Sequence, residues 1–399
     1  MSHLPLGATE LLLALATPAP KGYWGIPVLV WGVPGTGKST FIESLAREDF
    51  PVYTMIASLH DPTDFNGLPV LHDGRMRFAP PDWVYLFEPH GQGILFLDEL
   101  TTAPPTVQAA LLRLVLERKV GAHSLPRGVR IVAAANPPDM AASGWELSAP
   151  LANRFVHLKW QLDGETYCRA LEQGFQQVTL FQTDEQRHTE RLQFWKQIVA
   201  GFLRRNPGMA FTEPAEDEYA YATPRTWDFA IALMTTCELH GYLPRPGTAS
   251  AAPAQHAVNL LKGAIGSGAA TSLLQYLRQL RIPDPEAVLD GTAQLSPQLR
   301  EDELFVLFNT MAQLLQKMPQ SDARLHSRIE RFLNAALAIA QARKADSTYT
   351  ALRSLIQSGW LVRHIANDTA LQRLVRQLSQ YYEELTQLLE AHGMAGHRG

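Results

Sequence analysis

A chain of 399 residues exceeds what one ordinary hydrophobic core supports, so two or three domains are expected. Its 46% hydrophobic and 19% charged residues exclude a disordered or fibrous polypeptide, and 35 Lys plus Arg against 39 Asp plus Glu, a formal charge of -4, leaves no global basic field to recruit nucleic acid. The two cysteines, Cys168 and Cys237, lie far apart and outside any metal-ligand spacing, which excludes a disulfide framework and suits a reducing, cytoplasmic setting.

In chain order, the apolar run 11–16 has no preceding Lys or Arg and abuts Glu10, which argues against a signal peptide. No apolar stretch approaches the roughly 20 residues that cross a bilayer as a helix, so no membrane span is expected. From 28 to 160 short apolar runs alternate with helical patterns, the signature of a mostly parallel sheet with covering helices. Strands are predicted at 28–31, 52–57, 94–98, 129–135 and 155–160, and helices at 38–47 and 105–118, the latter with Val107, Ala110, Leu111, Leu114 and Val115 on one stripe. The Asp73, Gly74 pair inside 70–78 predicts a small projecting hairpin, because Gly accepts positive φ.

Beyond Trp160 helical periodicity takes over, at 165–175, 189–204, 224–239 and 255–280, with a Pro-, Ala-, Ser- and Gly-rich loop at 244–253. Residues 283–297 mark a boundary, after which Leu304, Phe308, Met311 and Leu315, then Leu371, Leu374, Val375, Leu378, Leu385 and Leu388, recur at helical spacing. The expected organisation is an α/β domain over 1–160, an α-helical domain over 161–283 and a C-terminal α-helical domain over 284–399.

Gly32, Val33, Pro34, Gly35, Thr36, Gly37, Lys38 and Ser39 match GxxxxGK[ST], directly after a predicted strand and directly before a predicted helix that continues with Thr40. Phosphate oxygens need donors at close range, and such a loop turns successive backbone N–H groups inward while the helix N-terminus adds its positive dipole end. Lys38 is suited to the β- and γ-phosphates and the Ser39 hydroxyl to Mg²⁺, so ATP with Mg²⁺ is the expected ligand.

The buried-strand run Ile94, Leu95, Phe96, Leu97 ends in Asp98 and Glu99. Behind a phosphate loop, that order suits Asp98 to the metal and Glu99 to polarising the attacking water. Asn136 ends the strand 129–135 and is fixed by Pro137 and Pro138; it suits a γ-phosphate sensor, or else ordinary turn chemistry. Arg154 begins the last predicted strand, outside this cluster, where a guanidinium can face another subunit and neutralise transferred-phosphoryl charge, or form a surface salt bridge. Arg225 follows Thr223 and Pro224 at a helix start, able to carry a charge to the γ-phosphate or to face solvent.

These motifs resemble the AAA+ superfamily, and within it the MoxR family, over residues 20–282. The pieces are GVPGTGKS at 32–39, DPTDFNG at 61–67, LFLDEL at 95–100, an APP-Q-ALL-LE-R pattern at 103–118, AAANP at 133–137, LANRF at 151–155 and TPR at 223–225. The resemblance implies a P-loop NTPase (AAA+) parallel sheet with helices on both faces followed by an α-helical lid, and a hexameric ring with a site at each subunit boundary. It also implies Arg154 as a finger acting in trans, Arg225 as sensor 2, the 70–78 hairpin as the helix-2 insert and 119–126 as a pre-sensor-1 loop facing pore or substrate. Members typically remodel or activate a protein, often beside a partner with a von Willebrand factor A domain. Leu100, Thr101 and Thr102 depart from the usual Asn-Arg stretch, and residues 284–399 carry no motif of the family.

The expected function is an ATP-driven protein remodeller or chaperone, against an AAA+ motor on nucleic acid or a nucleotide-gated scaffold. The motor wants a basic stripe, whereas Arg343, Lys344, Arg353, Arg363, Arg373 and Arg376 are interleaved with acidic residues, so nucleic acid is not an expected partner. The C-terminal helices are expected either to bind the client or partner or to form a rim that stabilises the ring.

Overall fold

A computed structural model describes residues 4–137, 144–174, 178–214, 218–246, 252–296, 298–342 and 344–391. Pro138, Phe175, Pro297 and residues 247–251 of the 244–253 loop, on which expectations fell, lie outside the described residues. The first part of the chain runs α1 (Ala8–Leu15), β1 (Val28–Trp31), α2 (Lys38–Glu43), β2 (Val52–Ile56), α3 (Pro62–Asn66), β3 (Leu68–His72), β4 (Arg75–Ala79), β5 (Gln92–Asp98), α4 (Pro105–Glu117), β6 (Lys119–Val120), β7 (His123–Ser124), β8 (Gly128–Ala135), α5 (Ala149–Ala152) and β9 (Val156–Lys159). Then follow α6 (Gly164–Gln173), α7 (Glu185–Arg205), α8 (Pro224–Leu239), α9 (Gln255–Ile265), α10 (Ser267–Gln279), α11 (Pro285–Asp290), α12 (Glu301–Lys317), α13 (Leu325–Gln341), α14 (Asp346–Gln357), α15 (Trp360–Ile365), α16 (Thr369–Ser379) and α17 (Glu383–Ala391).

The chain divides into two compact units, residues 1–192, 208–244 and 251–274 in the first and 193–207, 245–250 and 275–399 in the second. The first unit is built on a five-stranded parallel sheet in the order β2-β5-β8-β1-β9. Parallel strands buried on both faces read as continuous apolar runs, and Ile94 to Leu97 and Ile131 to Ala134 are all wholly buried. Phe96 and Val132 are register partners, as are Val30 and Ala134, so the strands end together at one carboxyl edge. Crevices for ligands open at that edge in sheets of this kind.

Helices cover the sheet. The stripe Val107, Leu111 and Leu114 of α4 joins a core with Leu95, Leu97, Ile131 and Phe155. The apolar run 11–16 lies in and just after α1, whose eight residues are all buried, including Thr9 and Glu10.

Two expected elements differ. The helix expected over 38–47 stops at Glu43, with Ser44 as its cap and an isolated bridge between Arg47 and Phe50 after it. The single helix expected over 255–280 is two, α9 and α10, parted by Gly266 at φ 80. The hairpin forms: β3 and β4 pair antiparallel around Asp73 and Gly74, at φ 50 and 71, the backbone of a type I′ turn. Alternation puts Pro69, Leu71, Met76 and Phe78 on one face, with Leu71 81% and Met76 68% exposed.

The second unit is helical among its described residues. Leu304, Phe308, Met311 and Leu315 of α12 are wholly buried, and Phe308 meets Phe332 of α13 edge-on at 5.7 Å. Arg328 pairs Asp290 through two parallel bonds of 2.7 and 2.8 Å. No described helix is long and apolar enough to cross a membrane.

Candidate active site

Strand β1 delivers the chain to Gly32, where a Cβ would stand 2.9 Å from the Trp160 carbonyl oxygen and 3.3 Å from the Lys38 side chain, so only glycine allows this approach. Gly37, at φ 79, turns the chain into α2 through a conformation that side chains disfavour. The Thr36 hydroxyl donates to the Val33 carbonyl at 2.7 Å and the Trp160 indole to the Thr36 carbonyl at 3.0 Å, fixing the loop from both sides. Val33, Pro34 and Gly35 are exposed along its crest. Thr40 is exposed on the first turn of α2, its carbonyl accepting the Ser44 N–H at 3.0 Å.

Lys38 turns back under the loop. Its ammonium donates to the Gly32 carbonyl at 2.6 Å, the Val33 carbonyl at 3.1 Å and Asn136 Oδ1 at 3.2 Å. Burial lowers its pKa, and the charge of Asp98 opposes that shift. Ser39 Oγ donates to Asp98 Oδ2 at 2.7 Å, and the other Asp98 oxygen accepts the Glu99 N–H at 2.9 Å. Ser39, Asp98, Lys38 and Asn136 therefore converge from three adjoining parallel strands, β5, β8 and β1, at their carboxyl ends.

Glu99 lies one residue past the end of β5, exposed, at φ 55 and ψ 40. This left-handed backbone turns its carboxylate off the strand direction, a strained placement for a residue with a side chain. The Ser58 hydroxyl donates to Glu99 Oε2 at 3.4 Å, a long contact. Sequence reading missed Ser58, because its contact follows from the strand register: Ile56 pairs with Asp98, so a small polar residue two places past β2 meets the residue after Asp98.

Arg154 and Arg225 are not in this cluster. Val156 is the partner of Val28, at the opposite end of β1 from Gly32, so Arg154 stands at the amino edge of β9 while Trp160, at the other end, holds the loop. Arg225 Nη1 donates to Asn153 Oδ1 at 3.2 Å, which puts it beside Arg154. Arg154 donates to the Pro150 carbonyl, but its buried Nε finds no partner among the described residues. Burial lowers the Arg154 pKa, and the like charge of Arg225 lowers it further.

Ser39 and Asp98 are a hydroxyl and a carboxylate, hard oxygen donors that fit Mg²⁺, which takes one or two protein oxygens and completes its shell with water and phosphate. No group of three or more His, Cys, Asp or Glu side chains able to hold a metal by themselves exists among the described residues.

Residues 27–155 match the AAA domain (dynein-related subfamily). Over part of its length the chain is similar to MoxR proteins. It is 32% identical over 116 residues to Chaperone MoxR1 of Mycobacterium tuberculosis and 35% identical over 98 residues to Protein MoxR of Paracoccus denitrificans, covering 28% and 24% of this chain. It is also 35% identical over 130 residues, 28% of this chain, to the Psp operon transcriptional activator of Escherichia coli. The matches span 29%, 28% and 37% of those relatives' own lengths, less than two fifths in each case. A crystal structure from Cytophaga hutchinsonii aligns with 70% of this chain and 91% of its own at 17% identity and a TM-score of 0.42, too distant a likeness to bear on function. The matched AAA domain lies on the parallel sheet with its flanking helices, and a large helical part follows it.

Proposed function

We propose that this protein hydrolyses ATP in a ring of its own copies, a hexamer by resemblance to its family, and uses the turnover to remodel or activate a protein partner, one carrying a von Willebrand factor A domain by the same resemblance. The observation that carries the reading is the hydrogen-bonded set Lys38, Ser39, Asp98 and Asn136, with Glu99 turned out beside it. A triphosphate entering the loop takes over the Lys38 ammonium from the two loop carbonyls, exchanging neutral acceptors for anionic ones. Asn136, already at the ammonium, orients the terminal phosphate. Ser39 and Asp98 would hold Mg²⁺, which would supply charge neutralisation to the phosphates. Glu99 accepts the proton of the attacking water once its contact with Ser58 is released.

Arg154 and Arg225 serve a neighbouring copy. Two guanidinium groups side by side, one with an unpaired Nε, lack the anion that would balance them, and a partner subunit's triphosphate supplies it. The likeness to a protein named as a chaperone supports a protein client.

The test is complementation. Lys38→Ala and Arg154→Ala, each purified alone, are both expected to release little phosphate. Mixed, they should recover activity, because a Lys38→Ala protomer still presents Arg154 to the intact phosphate loop beside it. No recovery on mixing, or full activity of Arg154→Ala alone, would contradict the assignment across subunits.

A further inference from the structure

The end of α5 and the first turn of α8 meet through one side chain. Asn153 closes α5, its N–H donating to the Ala149 carbonyl at 3.0 Å, and is 6% exposed. Its Oδ1 accepts from two donors at the opening of α8, the Thr223 hydroxyl at 3.1 Å and Arg225 Nη1 at 3.2 Å. All of these residues belong to the first compact unit. A guanidinium can only donate, so the amide presents its oxygen to Arg225 and not its nitrogen. The Nδ2 that remains is buried and has no partner among the described residues.

Thr223 is the N-cap of α8: its oxygen accepts the Thr226 N–H at 3.3 Å while the Thr226 hydroxyl accepts the Thr223 N–H at 2.8 Å, which leaves the Thr223 proton for Asn153. Arg225 follows two places later. Asn153 therefore holds α8 at two points within its first turn, and the helix cannot rotate about its axis without breaking one of them. That hold opposes a repulsion. Arg154 adjoins Asn153 in sequence, and its pKa is lowered by burial and then by the like charge of Arg225. The partners of the two guanidinium groups among the described residues are neutral, the Pro150 carbonyl for Arg154 and Asn153 Oδ1 for Arg225, so neither bond cancels the charge that drives them apart.

We propose that Asn153 is a positioning residue: its side-chain oxygen holds Arg225 beside Arg154, so that the two guanidinium groups reach a neighbouring copy's triphosphate together. The inference rests on the reading of Arg154 and Arg225 as serving that neighbour. The acceptor of Asn153 carries the role and its donor none, because Nδ2 bonds nothing. Aspartate keeps the shape and the acceptor and strengthens the bond to Arg225. Leucine keeps the size but lacks the acceptor, which frees Arg225 to swing away from the like charge.

Steady-state phosphate release and Mg·ATP binding by wild type, Asn153→Leu, Asn153→Asp, Arg225→Ala and the double variant Asn153→Leu, Arg225→Ala test the assignment. Asn153→Leu should lose about tenfold in kcat, the worth of one hydrogen bond to a charged group, with KM and affinity for ATP unchanged because Lys38, Ser39, Asp98 and Asn136 are untouched. Asn153→Asp should stay within about threefold of the wild-type kcat. Arg225→Ala should lose at least as much as Asn153→Leu, and adding Asn153→Leu to it should cost less than about twofold more, because the group being positioned is gone. A merely structural Asn153 would multiply its full loss onto that of Arg225→Ala, which overturns the proposal. Wild-type turnover by Asn153→Leu beside a slow Arg225→Ala overturns it as well and leaves the reading across subunits standing. So does an Asn153→Asp protein as slow as Arg225→Ala, a comparison that holds even if the leucine variant fails to fold. Full activity of Arg225→Ala defeats its role across subunits, and this inference with it.

Discussion

Replacing Lys38 by alanine separates binding from folding. The ammonium is buried and satisfied by three oxygens within 3.2 Å, so its removal deletes three hydrogen bonds but also relieves a desolvated charge. Hydrogen bonds to charged groups contribute about 1.5 to 3 kcal/mol each, and an unpaired buried ion costs several, so the net effect on folding is small, on the order of 1 kcal/mol. Nucleotide binding has no such offset, because the phosphates keep their charge and lose their cation. Two charge-assisted contacts to phosphate oxygens, each taken at the lower end of that range, about 1.5 to 2 kcal/mol, make about 3 to 4 kcal/mol, a loss of roughly 100- to 1,000-fold in affinity. Titration calorimetry with Mg·ATP, beside thermal melts by circular dichroism, reads both quantities on one sample. The expected result is an affinity lower by two to three powers of ten with a melting temperature within a few degrees of wild type. Affinity within about threefold of wild type would refute the placement of the triphosphate on this ammonium.

Three further outcomes follow from other residues. His157 is buried with Nε2 at the Ala152 carbonyl and Nδ1 accepting from Trp31, so both nitrogens are used by the neutral ring, and burial pulls its pKa down to about 4. The unfolded chain takes up this proton near pH 6.5 and the folded chain does not, so stability should fall by up to about 3 kcal/mol as pH drops from 6.5 towards 4; denaturant melts of His157→Gln that keep the full slope would contradict this. Arg118 is 3% exposed and donates to the Val129 carbonyl at 3.0 Å and the Gly25 carbonyl at 3.3 Å; Arg118→Met should cost about 2 to 4 kcal/mol by leaving both carbonyls unpaired, and an unchanged melting temperature would remove that role. Ser39→Ala removes the hydroxyl bonded to Asp98 and should raise the Mg²⁺ concentration needed for half-maximal phosphate release by about tenfold, with no shift counting against Ser39 as a metal ligand.

The sheet was legible because its strands are buried on both faces and bounded by strong breakers. Residues 28–31 and 224–239 form the expected elements to the residue, the second because Thr223 caps α8 and Pro224 opens it. The phosphate loop and the acidic pair were legible because their chemistry is local, carried by residues within a turn of each other. The split of 255–280 was missed because apolar periodicity continues from Leu260 to Leu277 across Gly266. Ser58, Glu10 and the Asn153–Arg225 contact were beyond sequence reasoning for another reason. Glu10 meets Asn259 across 249 positions and Arg225 meets Asn153 across 72, partnerships that exist only after the sheet and helices have packed. The same packing brings Arg225 into the company of Arg154.

The central claim is that a triphosphate sits on the loop 32–39 with Glu99 positioned to activate water. Parallel measurement of Mg·ATP binding and phosphate release by wild type and Glu99→Gln tests it most directly. The account predicts equal affinity in the two proteins and turnover slower by about 100-fold or more in the variant, the usual worth of a general base. A wild type that retains no Mg·ATP, or a Glu99→Gln protein that releases phosphate at the wild-type rate, would contradict it.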